Sequence, residues 1–297
     1  MRWKGKPLFF ACFALILTLV LGVSTGSVDA KSKDSFTGKY IQPPEVVQLV
    51  CGTVVINQKA KKMKVHTYIA LNNSVTTHII ESGKHLVVVD AQMSEECALE
   101  ARAYADGLGK PIERLIISHA HRDHYSGLPL AFADVPFYAL EGSLPNIEAA
   151  TGLDGNVLSP GIKSINGVRY EFIQVLDAES AEQLVIKLPH HGVIIVQDLA
   201  YNDLHLFLGS TTFDGWVEAL RSLQMSQHQN TVLVGHGYPT DTSVYEQNII
   251  YLKTAQALVE PGIACVDFQA EMVDRFLHLD GEGVFFYLGF VPWCTTP

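Results

Sequence analysis

Residues 118–127 read S-H-A-H-R-D-H-Y-S-G and place His119, His121, Asp123 and His124 within six positions. Imidazole nitrogen and carboxylate oxygen are ordinary donors to a divalent metal, so this set points to metal-assisted chemistry. Histidines at i and i+2 cannot share a helix face, and on a flat strand they would point to opposite sides. The stretch is therefore expected to be a loop that wraps its side chains around one centre. The competing reading, a His-rich surface loop without function, is disfavoured by further His and Asp residues downstream. The preceding run, residues 112–118 (IERLIIS), has the pattern of a buried strand. That puts the loop at a strand's carboxyl end, where α/β sheets place their ligands.

The elements that must hold this loop follow from local pattern. Residues 51–58, 64–71 and 75–82 are runs rich in Val, Ile and Thr broken by turn residues, and read as antiparallel strands. Residues 85–90 (HLVVVD) form another strand, closed by Asp90, which is either a turn residue or an acceptor that orients a ligand imidazole. Ser94 with Glu95 and Glu96 starts a helix that runs to 107–109. A short helix is expected over 127–133 and a strand over 136–140. Residues 141–161, with Pro145, Gly152, Gly155 and Pro160, read as irregular, either lining the entrance to a site or simply connecting. Strands follow at 168–175, 183–188 and 193–197, the last ending at Asp198, with a tight turn at 189–192. An amphipathic helix at 215–225 carries Trp216, Ala219, Leu220 and Leu223 on one side. A strand at 231–234 runs into Gly235-His236-Gly237. Helices at 241–259 and 266–278 and an apolar strand at 284–291 complete the pattern. Asp198 and His236 thus join the first loop as metal-type donors at strand ends. Tyr125, Trp216 and Tyr238 lie near these motifs and could touch substrate or belong to core and rim.

The first thirty of the 297 residues stand apart: Arg2, Lys4 and Lys6, then an unbroken apolar run at 7–23, then Val28 and Ala30 spaced as a cleavage site. This is the layout of a secretory signal peptide; an uncleaved anchor would want about 20 apolar residues. Residues 31–44 read as a flexible lead-in, 45–297 as the functional domain, and 245–297 as a C-terminal extension packed on it. Without residues 1–30 the chain has 18 basic and 30 acidic groups, a net of −12. Such an acidic protein is a poor nucleic-acid binder, no stable membrane association is expected once the signal is cleaved, and the partner is expected to be a small-molecule substrate. Cys51, Cys97, Cys265 and Cys294 remain, none in CxxC spacing. Outside the cytosol they can form disulfides, in any of three pairings.

These motifs together resemble the metallo-β-lactamase-fold superfamily of hydrolases. H-A-H-R-D-H at 119–124 is similar to its H-x-H-x-D-H signature, Q-D-L at 197–199 to its G-D-L motif, G-H-G at 235–237 to its last histidine segment, and Asp90 to the acid before its first helix. The resemblance spans about residues 45–245 and implies an α+β fold, an αβ/βα four-layer sandwich of two facing mixed sheets with helices outside. It also implies two divalent metal ions, zinc first. His119 and His121 would bind one ion, Asp123, His124 and His236 the other, and Asp198 both, with Asp123 and Asp198 as the catalytic carboxylates and Asp90 behind the ligands. One position departs from the pattern. The family has a further His about nineteen residues before the bridging Asp, where this chain has Glu179. His190 and His191 sit eight and seven residues before Asp198, at the far end of the same hairpin strand, roughly 26 and 23 Å away at about 3.3 Å per residue. They are turn residues, and His205 reads as a packing residue. Glu179 is expected to complete the first position, giving a His₂Glu set.

Two such ions would lower the pKa of a shared water toward neutrality and polarise the bond under attack. The expected activity is hydrolysis of an activated carbonyl: β-lactam, lactone, ester or thioester. Glu179 makes the donor set richer in oxygen, which brings iron and manganese into play beside zinc. An iron-dependent oxidoreductase on the same scaffold and a metal-binding protein without turnover are the alternatives. Which residues bind substrate is not legible.

Overall fold

The strands alternate apolar residues on both faces, so each sheet needs cover on two sides. A computed structural model describes residues 45–60, 63–71, 74–209, 212–226, 230–259, 262–281 and 291–295. The first sheet holds β1 (Glu45–Gln48), β2 (Gly52–Ala60), β3 (Met63–Ala70), β4 (Thr76–Glu81), β5 (Leu86–Val89), β6 (Ile112–Ile116), β7 (Phe137–Ala139) and β8 (Asn156–Val157), in that spatial order. Pairing is antiparallel as far as β5 and parallel from β5 to β8. The second sheet holds β9 (Gly161–Ile165), β10 (Val168–Leu176), β11 (Glu182–Leu188), β12 (Val193–Tyr201) and β13 (Thr231–His236), also in sequence order. Only its last pair, β12 with β13, is parallel.

Side-chain alternation makes the layers. In β5, Val87 and Val89 face Phe172, Ile186 and Ile195 of the other sheet, while Leu86 and Val88 face Ala98 and Ala105 of helix α1 (Glu95–Gly107). In β12, Val193 and Ile195 enter the space between the sheets. Ile194 and Val196 pack outward against α5 (Phe213–Met225) and α6 (Ser243–Val259), through Trp216, Leu220 and Leu252. The result is the expected helix–sheet–sheet–helix sandwich of α+β class. The Ser94 hydroxyl caps α1 by accepting from the Cys97 N–H at 3.3 Å, with Glu95 and Glu96 in the positive first turn.

Of the three possible disulfide pairings the structure holds Cys51–Cys97 and Cys265–Cys294. The first ties the entry to β2 onto α1. The second joins α7 (Cys265–Arg275) to the segment after the 3-10 turn Val291–Trp293. Among the described residues no helix is long and apolar enough to cross a membrane.

Several expectations need correction. Residues 141–161 are not irregular: they contain α4 (Leu144–Thr151) and β8, and β9 begins at Gly161. Pro145 lies in the first turn of α4 and Gly152 is its left-handed cap at φ 70°. The residues that read as loop breakers are helix start and stop signals. A short strand, β1, precedes the first expected one. Asp198 lies within β12, which continues to Tyr201, and His236 is the last residue of β13. The signal peptide, the lead-in at 31–44 and all but the last residue of the strand expected at 284–291 fall outside the described residues.

Candidate metal centre

Chain geometry explains why seven distant donors converge. After β6, His119 forms an isolated bridge with Gln183, the chain bends at Ala120, and His121, again extended, precedes the single helical turn α2 (Arg122–Tyr125), followed by α3 (Leu128–Ala131). His119 and His121 therefore project from extended chain and Asp123 and His124 from a helical turn. In β12 the register with β13 shifts on either side of Gln197, whose φ is 45°. Such a bulge re-aims side chains, here that of Asp198. Gly235 lies hard against the Asp198 carboxylate, where a Cβ would overlap Oδ1. Glu179 occupies the turn between β10 and β11, closed by Ala178 N–H to Ser180 O at 3.1 Å.

The side chains fall into two groups that share Asp198: His119, His121, Glu179 and Asp198, and Asp123, His124, His236 and Asp198. Within each, the ligand atoms lie within 4.8 Å of one another. In the first group, His121 Nδ1 is 3.1 Å from Glu179 Oε1, and His119 Nε2 is 3.7 Å from both Glu179 Oε2 and Asp198 Oδ2. In the second, His124 Nε2 is 3.1 Å from Asp198 Oδ1 and 3.5 Å from Asp123 Oδ2, and His236 Nε2 is 3.3 Å from Asp123 Oδ2 and 3.4 Å from Asp198 Oδ2. Donors held about 2.1 Å from one ion at tetrahedral angles stand about 3.4 Å apart. His119 Nε2, His124 Nε2 and Asp198 Oδ1 are buried and make no hydrogen bond among the described residues. Buried polar atoms normally have partners. Atoms of metal-ligand type converging at ligand–ligand spacing fit divalent ions. Glu179 stands where the sequence placed it, fully buried.

Electrostatics describe the same affinity for positive charge. Burial drives His119 below its ordinary pKa and Glu179 above its own. Burial would also discharge His121, but the Glu179 carboxylate outweighs it and raises the imidazole to about 9. His236 rises to about 10, because Asp198 and Asp123 outweigh the same penalty. Asp198 is held well below the carboxylate range, burial being overcome by His124 and His236. Three carboxylates thus keep cationic imidazoles in a site where metal and proton compete.

Asp90 lies behind the candidate donors, and of its two readings, turn residue or orienting acceptor, its contacts are those of an acceptor. It accepts from His124 Nδ1 at 2.8 Å and from the Ser118 hydroxyl at 2.8 Å, and that hydroxyl lies 2.9 Å from His119 Nδ1. Three participants were not legible in sequence. The Gln183 amide oxygen accepts from the Asp198 and Leu199 N–H groups at 2.9 and 3.2 Å, holding the bulge open. Tyr201 donates to Asp198 Oδ2 at 3.0 Å and stacks on His236, centroids 4.7 Å apart. Gln197 bridges Asp90 and His78. Gln183 and Tyr201 left no motif in the sequence, and Gln197 stood there only as the first residue of Q-D-L. A cleft of about 150 Å³ opens over the donors, lined by His121, Arg122, Asp123, Asp198, Tyr201 and Phe207. His190 and His191 form a 3-10 turn at the opposite end of β12, and His205 is buried against Tyr251. Of the aromatic residues considered for substrate contact, Trp216 is fully buried and donates to Leu199 O, and Tyr125 is buried beneath the loop. Neither reaches the cleft. Tyr238 is exposed and is not among its lining residues.

The profile of the metallo-beta-lactamase superfamily matches residues 72–232. No curated protein sequence matches the chain. Among solved structures, a metallo-beta-lactamase from Pontibacter korlensis superposes with a TM-score of 0.57 at 18% identity, covering 67% of this chain and 99% of its own. One from Erythrobacter litoralis, with beta mercaptoethanol in its active site, gives 0.56 at 17%, covering 71% and 100%. FIM-1 from Pseudomonas aeruginosa, in its mono-zinc form, gives 0.56 at 18%, covering 68% and 96%. These likenesses are of fold, and the profile spans more than half of the sequence. With the ordered motifs and the paired donor groups already in place, the chain belongs to the metallo-beta-lactamase superfamily.

Proposed function

We propose that this protein is an exported binuclear metal-dependent hydrolase acting on an activated carbonyl: a β-lactam, lactone, ester or thioester. The observation that carries the reading is the pair of four-residue donor groups sharing Asp198. His119, His121 and Glu179 would hold one ion and Asp123, His124 and His236 the other, with Asp198 common to both groups. Bound there, divalent ions supply Lewis acidity and a nucleophilic water at neutral pH. The chain's own groups do the rest. Asp123, on the cleft side, accepts a hydrogen bond from the attacking water and orients it. Tyr201 fixes the Asp198 carboxylate by donating to Oδ2. Phe207 and the Tyr201 ring wall the cleft and limit water around the scissile bond. The two disulfides accord with an oxidising compartment and so with export.

The test is elemental analysis of protein purified without added metal, followed by a hydrolysis panel over the four carbonyl classes. The expected result is about two equivalents of metal per chain and turnover of at least one class. A metal-free protein, or no hydrolysis by protein holding two ions, refutes the proposal. A second reading, an iron-dependent oxidoreductase, has one observation in its favour: each group carries two imidazoles and a carboxylate of its own, the pattern of non-heme iron sites. Iron content with oxygen consumption would select it.

A further inference from the structure

Gln197 stands where the family's G-D-L motif has glycine, and the exchange is not conformationally neutral. The residue adopts φ 45°, a region that favours glycine, and it is fully buried. A long polar side chain kept under those conditions needs a reason. Its amide lies between two fully buried groups: Nε2 donates to Asp90 Oδ2, and Oε1 is 2.8 Å from His78 Nε2.

The direction of each hydrogen bond in this chain follows from its neighbours. Thr76 gives its hydroxyl proton to Val234 O at 2.7 Å, so its oxygen, 3.2 Å from His78 Nε2, can only accept there. His78 therefore carries its proton on Nε2, and Nδ1 accepts from the Thr67 hydroxyl at 3.1 Å. The same Nε2–H is aimed at Gln197 Oε1, which sets the amide with its NH₂ toward Asp90. Asp90 then receives four donors: the Ser118 N–H on Oδ1, and the Ser118 hydroxyl, Gln197 and His124 Nδ1–H on Oδ2. Because Ser118 donates to Asp90, its oxygen accepts from His119 Nδ1–H. In the neutral form that metal binding requires, both imidazoles would then present the Nε2 lone pair to the donor groups. One belongs to each metal position.

We propose that Gln197 and His78 are positioning residues: a one-way hydrogen-bond chain, Thr67 to His78 to Gln197 to Asp90, presets the ligand tautomers of His124 directly and of His119 through Ser118, and so governs metal retention at both positions together. This rests on the metal-site reading above. Outer partners of metal ligands change affinity by about 10- to 100-fold when lost, and a chain reaching both groups should change both.

The test is zinc affinity of the full-length protein, by competition with a chromophoric chelator, together with metal content after dialysis. Q197G restores the family residue at a backbone position it suits and removes the amide. H78L leaves the Gln197 amide free to turn its carbonyl toward Asp90. H78Q retains a donor for Gln197 and an acceptor for Thr67. Q197G and H78L are expected to lose affinity at both positions by about 10- to 100-fold, with far-ultraviolet circular dichroism unchanged, and H78Q to recover most of it. Unchanged affinity in Q197G and H78L overturns the proposal, as does a loss confined to one position or shared equally by H78Q. If Q197G does not fold, the H78L and H78Q pair decides alone. Wild-type protein that binds no zinc, iron or manganese refutes the metal-site reading itself, a result distinct from any of these.

Discussion

His78 makes a quantitative demand on acid stability. The side chain is fully buried, and burial depresses its pKa from 6.5 to about 4, against the smaller opposing pull of Gln197 and Asp90. The folded state keeps the ring neutral, while the unfolded chain protonates it below about pH 6.5. A depressed histidine pKa therefore contributes stability that is intact above pH 6.5 and is lost as pH falls toward 4. Linkage gives a loss of roughly 1 kcal/mol at pH 5.5 and roughly 2–3 kcal/mol at pH 4.5, relative to neutral pH. The assay is urea unfolding of wild type and H78Q at pH 7.5, 5.5 and 4.5, with chelator present so that metal release does not contribute. Glutamine does not titrate, so the stability gap between the proteins should move in favour of H78Q by those amounts on acidification, whatever its size at pH 7.5. A gap constant within about 0.5 kcal/mol across the range would refute the assignment of a neutral, desolvated His78.

Other outcomes follow from particular contacts. E179A should retain one of two ions, the one held by Asp123, His124 and His236, as read by metal analysis after dialysis. Arg122 is exposed at the mouth of a cleft otherwise lined by acids, an imidazole and aromatic rings. R122A should lower kcat/KM about tenfold or more for substrates bearing a carboxylate near the scissile bond and leave neutral ones unchanged, since a charge-assisted hydrogen bond is worth about 1.5–3 kcal/mol. Opening the Cys51–Cys97 bridge, which closes a 46-residue separation, should cost about 4 kcal/mol. The Cys265–Cys294 bridge, closing 29, should cost about 3.5 kcal/mol. Urea unfolding of C51S/C97S and C265S/C294S measures both.

The donors themselves were readable because each sits in a short motif or at the end of an apolar run. His119 to His124 lie in one loop, His236 ends β13, and Asp198 and Glu179 follow from spacing. What surrounds them was not readable, because it depends on which chain segments meet. His78 and Gln197 are 119 residues apart and Gln197 and Asp90 are 107 apart; neither pair leaves a local pattern. Gln183 matters through two backbone N–H groups across a strand pair, which no side-chain periodicity encodes. Trp216 is a related case: its place on the apolar side of α5 was readable, but not that this side packs on β12 through Leu199 O, away from the cleft. In 141–161 the local signals were present, but Pro145 and Gly152 carry opposite meanings inside and outside a helix, and only packing of Leu144 and Ile147 into the core decides.

The donors come from both sheets: four from the loop after β6, three from the turn before β11, the bulge of β12 and the end of β13. An ion held between them is therefore a crosslink across the seam of the sandwich, joining residues 119–124 to residues 179–236. Its binding free energy counts against every motion that parts the sheets, adding RT ln(1 + [M]/Kd) to their cohesion. Starved of metal, the molecule should breathe along that seam first, and amide exchange in β11–β13 should report metal supply before any loss of helix content does.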